Sequence, residues 1–193
     1  MTKFVCLIIL LMSPSAWAQS GPPSRLDRGV ITWHPFYALP PKTLAASWEL
    51  ADVVILGTVL RADTPAPPTG WQRVPAKDVT TLSSIQVSEV FKGDLWPGSI
   101  IGVRDHAGTF ETADAIVRSL DTTMTVGGRY VLFLKAGSMV ATFEFRPHFG
   151  PAAVLGIRDE KVVPQGHAPL AKSLAGQSAA TLISDLRRLR DSR

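Results

Sequence analysis

The sequence predicts a mainly β protein: a small five-to-six-stranded β-barrel with a short N-terminal helix and a C-terminal amphipathic helix. Three observations carry that reading. Five or more short runs are rich in β-branched and aromatic residues, and Gly, Pro and Asp residues punctuate them. The alternation inside these runs breaks at Gly57 and near Glu89, where a barrel wall must bend. Apart from a helical turn or two in the connection 107–127, helical periodicity falls in a segment before the strands and a segment after them. Closing the sheet removes its exposed edges, so a barrel is preferred, with a β-sandwich as the rival.

Each element has its own signal. In "KTLAASWELAD" Thr43 is a candidate N-cap, and Leu44 and Trp48 share a face, which predicts about two helical turns. "DVVILGTVLRAD" is apolar on both faces, the mark of a strand buried on both sides. A Pro-rich loop, 64–77, follows. "DVTTLSSIQVSEVFKGD" alternates, with Ile85 and Val87 on one face and Ser84, Gln86 and Ser88 on the other. Its period fails at Val90 and Phe91, which places a bulge near Glu89. The turn "GDLWPG" leads into a third strand, "GSIIGVRDH". Residues 107–127 form a long connection in which "ETADAIVRSL" is expected to make a helical turn or two. "GGRYVLFLKAG" is the strongest strand signal, "SMVATFEFRPH" a fifth strand, and "AAVLGIRDEKVVP" a hairpin turning at Arg158-Asp159-Glu160. In "SAATLISDLRRLRDSR" Ser178 is a candidate N-cap, and Leu182, Ile183, Leu186 and Leu189 form one apolar stripe. Arg187, Arg188, Arg190 and Arg193 take other faces and read as a solvated surface.

Before these elements stand two other segments. Residues 1–18 combine Lys3, the apolar run Phe4 to Met12 and the small-residue pattern Ala16-Trp17-Ala18, which reads as a signal peptide cleaved between Ala18 and Gln19. The expected location is therefore periplasmic or secreted. The sole cysteine, Cys6, lies within that leader, which excludes disulfides and Cys-based zinc sites from the remainder, and with them a lipoprotein anchor. Residues 19–41 are a Pro/Gly-rich arm whose Trp33, Phe36 and Tyr37 are expected to pack on the domain. Residues 42–167 then make the barrel and 168–193 a linker with the closing helix. The chain carries 20 Lys and Arg against 16 Asp and Glu, and the excess is three once Lys3 is removed. That balance gives little long-range steering. Nucleic acid is not an expected partner of an exported chain of this kind.

At this point a resemblance becomes visible. "ELADVVILGTVLRAD", "IQVSEVFKGDLWPGSIIGVRDHAG", "VGGRYVLFLKAG" and "FGPAAVLGIRDEKVVP" occur in an order that resembles a group of uncharacterised exported bacterial proteins. The resemblance implies an OB-like barrel akin to the netrin and tissue-inhibitor-of-metalloproteinase module. It does not bring that module's protease inhibition with it. The animal inhibitors use an N-terminal cysteine on the protease zinc, and no position after the leader can supply one.

No catalytic set stands out. Arg104-Asp105-His106 is the most reactive-looking cluster, but a metal needs three or four converging ligands. His34, His148 and His167 are scattered singly. There is no G-x-S-x-G, and the Gly-Gly pair before Arg129 lacks the P-loop lysine pattern. Catalytic, cofactor and metal residues are therefore expected to be none. The preferred reading is a non-enzymatic binding module that meets another envelope or extracellular protein, or a cell-wall polymer, through its loops. Trp71, Trp96 and His106 are the candidate contact residues, because loops carry recognition and Trp is enriched at binding hot spots. Two alternatives stay open: an envelope hydrolase built around Asp105 and His106, and a cysteine-free protease inhibitor.

Overall fold

The protein was analysed as a computed structural model that describes residues 29–33, 40–64, 80–111, 115–120, 124–137, 144–148, 150–165 and 168–192. The leader, Phe36 and Tyr37 of the arm, the loop carrying Trp71, and residues 138–143 of the expected fifth strand lie outside the described residues.

The strands are β1 (Gly29–Trp33), β2 (Val53–Asp63), β3 (Thr81–Lys92), β4 (Ile100–Asp105), β5 (Ala107–Glu111), β6 (Ala115–Leu120), β7 (Arg129–Ala136), β8 (Glu144–Pro147), β9 (Val154–Arg158) and β10 (Lys161–Pro164). The helices are α1 (Leu44–Leu50), α2 (Pro169–Leu174) and α3 (Ala179–Asp191). The larger sheet runs β10-β9-β7-β2-β3-β4-β8, and β8 also pairs with β7. That extra pairing makes β7, β2, β3, β4 and β8 a closed five-stranded barrel, with β9 and β10 as additions outside the ring. A sandwich has no such closure, so the barrel reading holds.

The double-sided apolar pattern of β2 and β7 follows from this arrangement. Val53, Ile55 and Val59 of β2 and Tyr130, Leu132 and Leu134 of β7 face the barrel interior, with Ile85, Val87, Ile101, Val103 and Phe145. Val54, Leu56, Val131 and Phe133 face outward into a second core under Trp48, Leu170, Leu174, Leu182 and Leu186 of the helices. Thr43 caps α1, its hydroxyl accepting from the Ala46 N–H at 3.2 Å. The Lys92 ammonium donates to the carbonyls of Trp48 (2.7 Å) and Glu49 (3.1 Å), where a cation suits the negative end of a helix.

The bends fall close to where the sequence breaks its period. The β2–β3 register shifts at three places: Val54/Ile55, Leu56/Gly57 and Val59/Arg61. At Gly57 the reason is proximity, because a Cβ there would lie 2.5 Å from Ile85 Cγ2 and 2.9 Å from the Gln86 carbonyl oxygen. In the β9–β10 hairpin Arg158 pairs with Lys161, so the loop is Asp159-Glu160 alone, both at positive φ (50° and 56°). This is the backbone hand that a two-residue hairpin requires.

Two expectations need correction and a third needs refining. Residues 115–120 are not helical: β5 and β6 form an antiparallel pair, and β1 adds to β6 in parallel. The β-branched runs Ile116-Val117 and Val30-Ile31-Thr32 find strand partners in each other, and pairing of this kind overrides a weak local helical signal. The segment before the last helix is more than a linker, since α2 buries Leu170, Ala171 and Leu174. Ser178 occupies the N-cap position of α3 without a side-chain capping bond. The Glu160 carbonyl instead accepts the Ala179 N–H at 2.8 Å, which ties α3 to the hairpin turn.

Candidate functional site

The turn between β3 and β4 presents the largest exposed aromatic side chain among the described residues. Its hydrogen bonds are local and mutually supporting. The Gly98 N–H donates to the Val87 carbonyl (2.7 Å) and the Val87 N–H to the Ser99 carbonyl (2.9 Å). The Trp96 carbonyl accepts from both the N–H (3.2 Å) and the hydroxyl (2.8 Å) of Ser99. Gly98 has φ +89°, a conformation L side chains rarely adopt, which explains glycine at this point. Leu95 packs against the interior cluster, whereas Trp96 is 62% exposed. Ile100, the first residue of β4, is 60% exposed on the outer face. The turn is thus anchored by one apolar side chain and offers two others to solvent.

His106 occupies the opposite end of the same strand. β4 pairs Ile100 with Gln86 and Asp105 with Thr81, and His106 is the single residue between β4 and β5. Six strand residues separate the Trp96 turn from His106, about 20 Å of chain. Trp96 and His106 therefore lie towards opposite ends of β4 and do not share one surface, and Trp71 lies outside the described residues.

The reactive-looking cluster is divided by the pleat of β4. Arg104 points outward and forms a two-pronged ion pair with Glu144 of β8, and a further bond to the Thr80 hydroxyl at 3.3 Å. The Glu144 hydrogen bond, opposed by burial, raises the Arg104 pKa above its ordinary value. The same bond lowers that of Glu144 against the opposing effect of burial. Asp105 points the other way and is buried. Beside it the Thr81 hydroxyl donates to the Ala107 carbonyl at 2.6 Å and meets the Thr64 hydroxyl at 3.0 Å. Arg104 accordingly serves the β4–β8 seam and points away from Asp105. Among the described residues no group of three or more His, Cys, Asp or Glu side chains could hold a metal ion.

The helix arginines are committed to ion pairs. Arg187 grips Glu89 of β3 with two bonds of 2.8 Å, and the Glu89 bond raises the Arg187 pKa. Arg188 pairs with Asp185 and Arg190 with Asp191. All three stay exposed, as the solvated-face reading expects. What sequence reasoning missed was the contact to Glu89, a lone acid on the outer face of β3 that α3 crosses. No helix of the described residues is long and apolar enough to cross a membrane. Comparison with known proteins matches this chain to no family model and to no curated protein.

Proposed function

We propose that the chain is an exported, non-enzymatic binding module that engages another envelope or extracellular protein through its β3–β4 turn. The observation that carries the proposal is Trp96, 62% exposed on a turn whose backbone is already fixed by hydrogen bonds. A preordered aromatic anchor loses little conformational freedom on binding, and Trp is the residue type most often found at the energetic centre of protein interfaces. Ile100 extends the anchor with a second apolar contact. A protein pocket suits this apolar pair better than a hydrated polymer does. The leader-like residues 1–18 and the order of the barrel motifs support export and the resemblance to the exported OB-like group.

The test compares native protein with Trp96→Ala and Ile100→Ser in capture from an envelope fraction, with the captured protein identified and its affinity then measured. Trp96→Ala is expected to weaken binding at least tenfold, the equivalent of about 1.4 kcal/mol. The unfolding free energy from urea titration should change by no more than about 0.5 kcal/mol, as for an exposed side chain. Equal affinity for native and both variants rejects the assignment, as does capture of cell-wall polymer in place of a protein.

A further inference from the structure

The second feature lies where β7 begins, and it does not depend on the Trp96 turn. One edge of β7 is shared by two partners: Leu134, Lys135 and Ala136 pair with β8, whereas Arg129 to Leu132 pair with β9. The ring closes through the first set, and the β9–β10 hairpin leaves the wall along the second. A cleft of about 260 Å³ lies there. Its floor is the row Tyr130, Gly156 and Val163, one residue from each of β7, β9 and β10 in direct register.

Gly156 is the recess. A Cβ at this position would stand 3.0 Å from the Val163 carbonyl oxygen, 3.2 Å from Gln165 Nε2 and 3.4 Å from Tyr130 Cε1. The Gln165 amide therefore hangs beside the glycine, and any side chain there would fill the cleft. Tyr130 is a fixed wall. Its hydroxyl accepts the Thr125 N–H at 2.9 Å and lies 3.1 Å from the Thr125 hydroxyl.

The rim is basic. Arg129 and Arg158 both line the cleft. Arg129 reaches Glu160 at 3.4 Å, a loose pair in which Glu160 is 78% exposed. Arg158 has no ion pair among the described residues. A guanidinium is a planar fork that matches a carboxylate with two parallel bonds, and an amide nitrogen supplies a third donor. Val163 adds an apolar surface beside these donors, suited to the body of a small organic acid more than to a bare inorganic ion.

We propose that this cleft is a binding site for a carboxylate-bearing ligand, held by Arg158 and Arg129 over the Gly156 recess with Gln165 as the third donor. At this volume it accepts one terminal group, below the range of pockets that enclose whole drug-sized molecules. Two sources offer that chemistry: the free C-terminus of a peptide and the acid group of a uronic sugar.

The experiment uses protein recovered from expression of the full chain and follows amide resonances by NMR titration. The probes are N-acetyl-Ala-Ala, its C-terminal amide, galacturonate and inorganic phosphate. Saturable shifts centred on the Gly156 amide are expected with one of the two acids, which identifies the source. The peptide amide should bind at least tenfold more weakly than the peptide acid if the peptide is the ligand. Arg158→Gln should weaken the acid at least tenfold, and Arg129→Gln less, because Glu160 already engages it. Both substitutions are at exposed positions, and retained chemical-shift dispersion confirms the fold. The proposal is overturned if neither acid shifts Gly156, if acid and amide bind alike, if Arg158→Gln leaves binding unchanged, or if phosphate binds more tightly than both acids.

Discussion

Gly57 sets how closely β3 can approach β2. Its missing side chain lets the Ile85 methyl and the Gln86 carbonyl come to 2.5 Å and 2.9 Å from where a Cβ would stand, closer than any real Cβ tolerates, and the register shift beside it turns the wall. Gly57→Ala would force Ile85 off its position in a fully packed interior. Overpacking of this kind costs about 1–3 kcal/mol. The expected result is a urea midpoint lowered accordingly, with the far-ultraviolet circular dichroism unchanged. An unshifted midpoint would mean that the wall can relax at this bend, contrary to its close packing. Trp96 illustrates the opposite case at the same scale. Nothing packs it in, so its substitution should be felt in binding and hardly at all in folding.

At the level of elements, α3 is held by two different kinds of contact. Leu182 and Leu186 are fully buried against the outer faces of β2 and β7, while Arg187 reaches across to Glu89 with half its side chain in solvent. Leu186→Ala should cost about 2–5 kcal/mol through the cavity it leaves. Arg187→Gln should lower the urea midpoint much less, because exposed ion pairs are screened and must order long side chains. A larger loss for Arg187→Gln than for Leu186→Ala would reverse this account of what fastens the helix. The apolar stripe of α3 was legible because it repeats every turn, and the strand runs were legible because their burial is regular. What escaped depends on partners distant in the chain. Ile116 and Val117 are strand between β5 on one side and β1 on the other, and Val30 and Ile31 become strand because β6 lies alongside. The contact residues were legible only by type. Trp96 and His106 are ten positions apart in the sequence, and only the extended course of β4 reveals that they face different ends of the barrel. The cleft left almost no trace, since its recess is a single glycine and its rim combines residues from three strands and a loop.

For the molecule as a whole, closure rests on a short strand. Among the described residues β8 meets β4 at two register positions, Gly102 with Glu144 and Val103 with Phe145, and β7 at three. Charged groups gather on both sides of it. Arg104 and Glu144 bridge β4 to β8. Asp52 binds Lys135 at 2.6 Å and the Ala136 N–H at 3.1 Å on the neighbouring strand, and His148 follows β8 directly. For Asp52 burial opposes ionisation, yet Lys135 and the Ala136 N–H together hold its pKa below the ordinary value. Glu144 is lowered by Arg104. Such carboxylates stabilise the fold in full above their unfolded pKa values, and the contribution disappears as pH falls through the lower folded values. His148 is also lowered, first by burial and then by Lys135, against the pull of Asp52 and with a further push from Arg146. The unfolded chain therefore takes up that proton first, and stability declines as pH falls below about 6.5 until the folded imidazole also titrates. Urea midpoints measured from about pH 8 down to about pH 3 should fall in two stages, the upper from the imidazole and the lower from the carboxylates. His148→Gln should remove much of the upper stage, and Glu144→Gln should flatten part of the lower one. The changes should be about 1 kcal/mol or less for each partly exposed pair. If His148→Gln follows the native profile through the upper stage, the acid sensitivity of the molecule does not originate at the strand that closes its barrel.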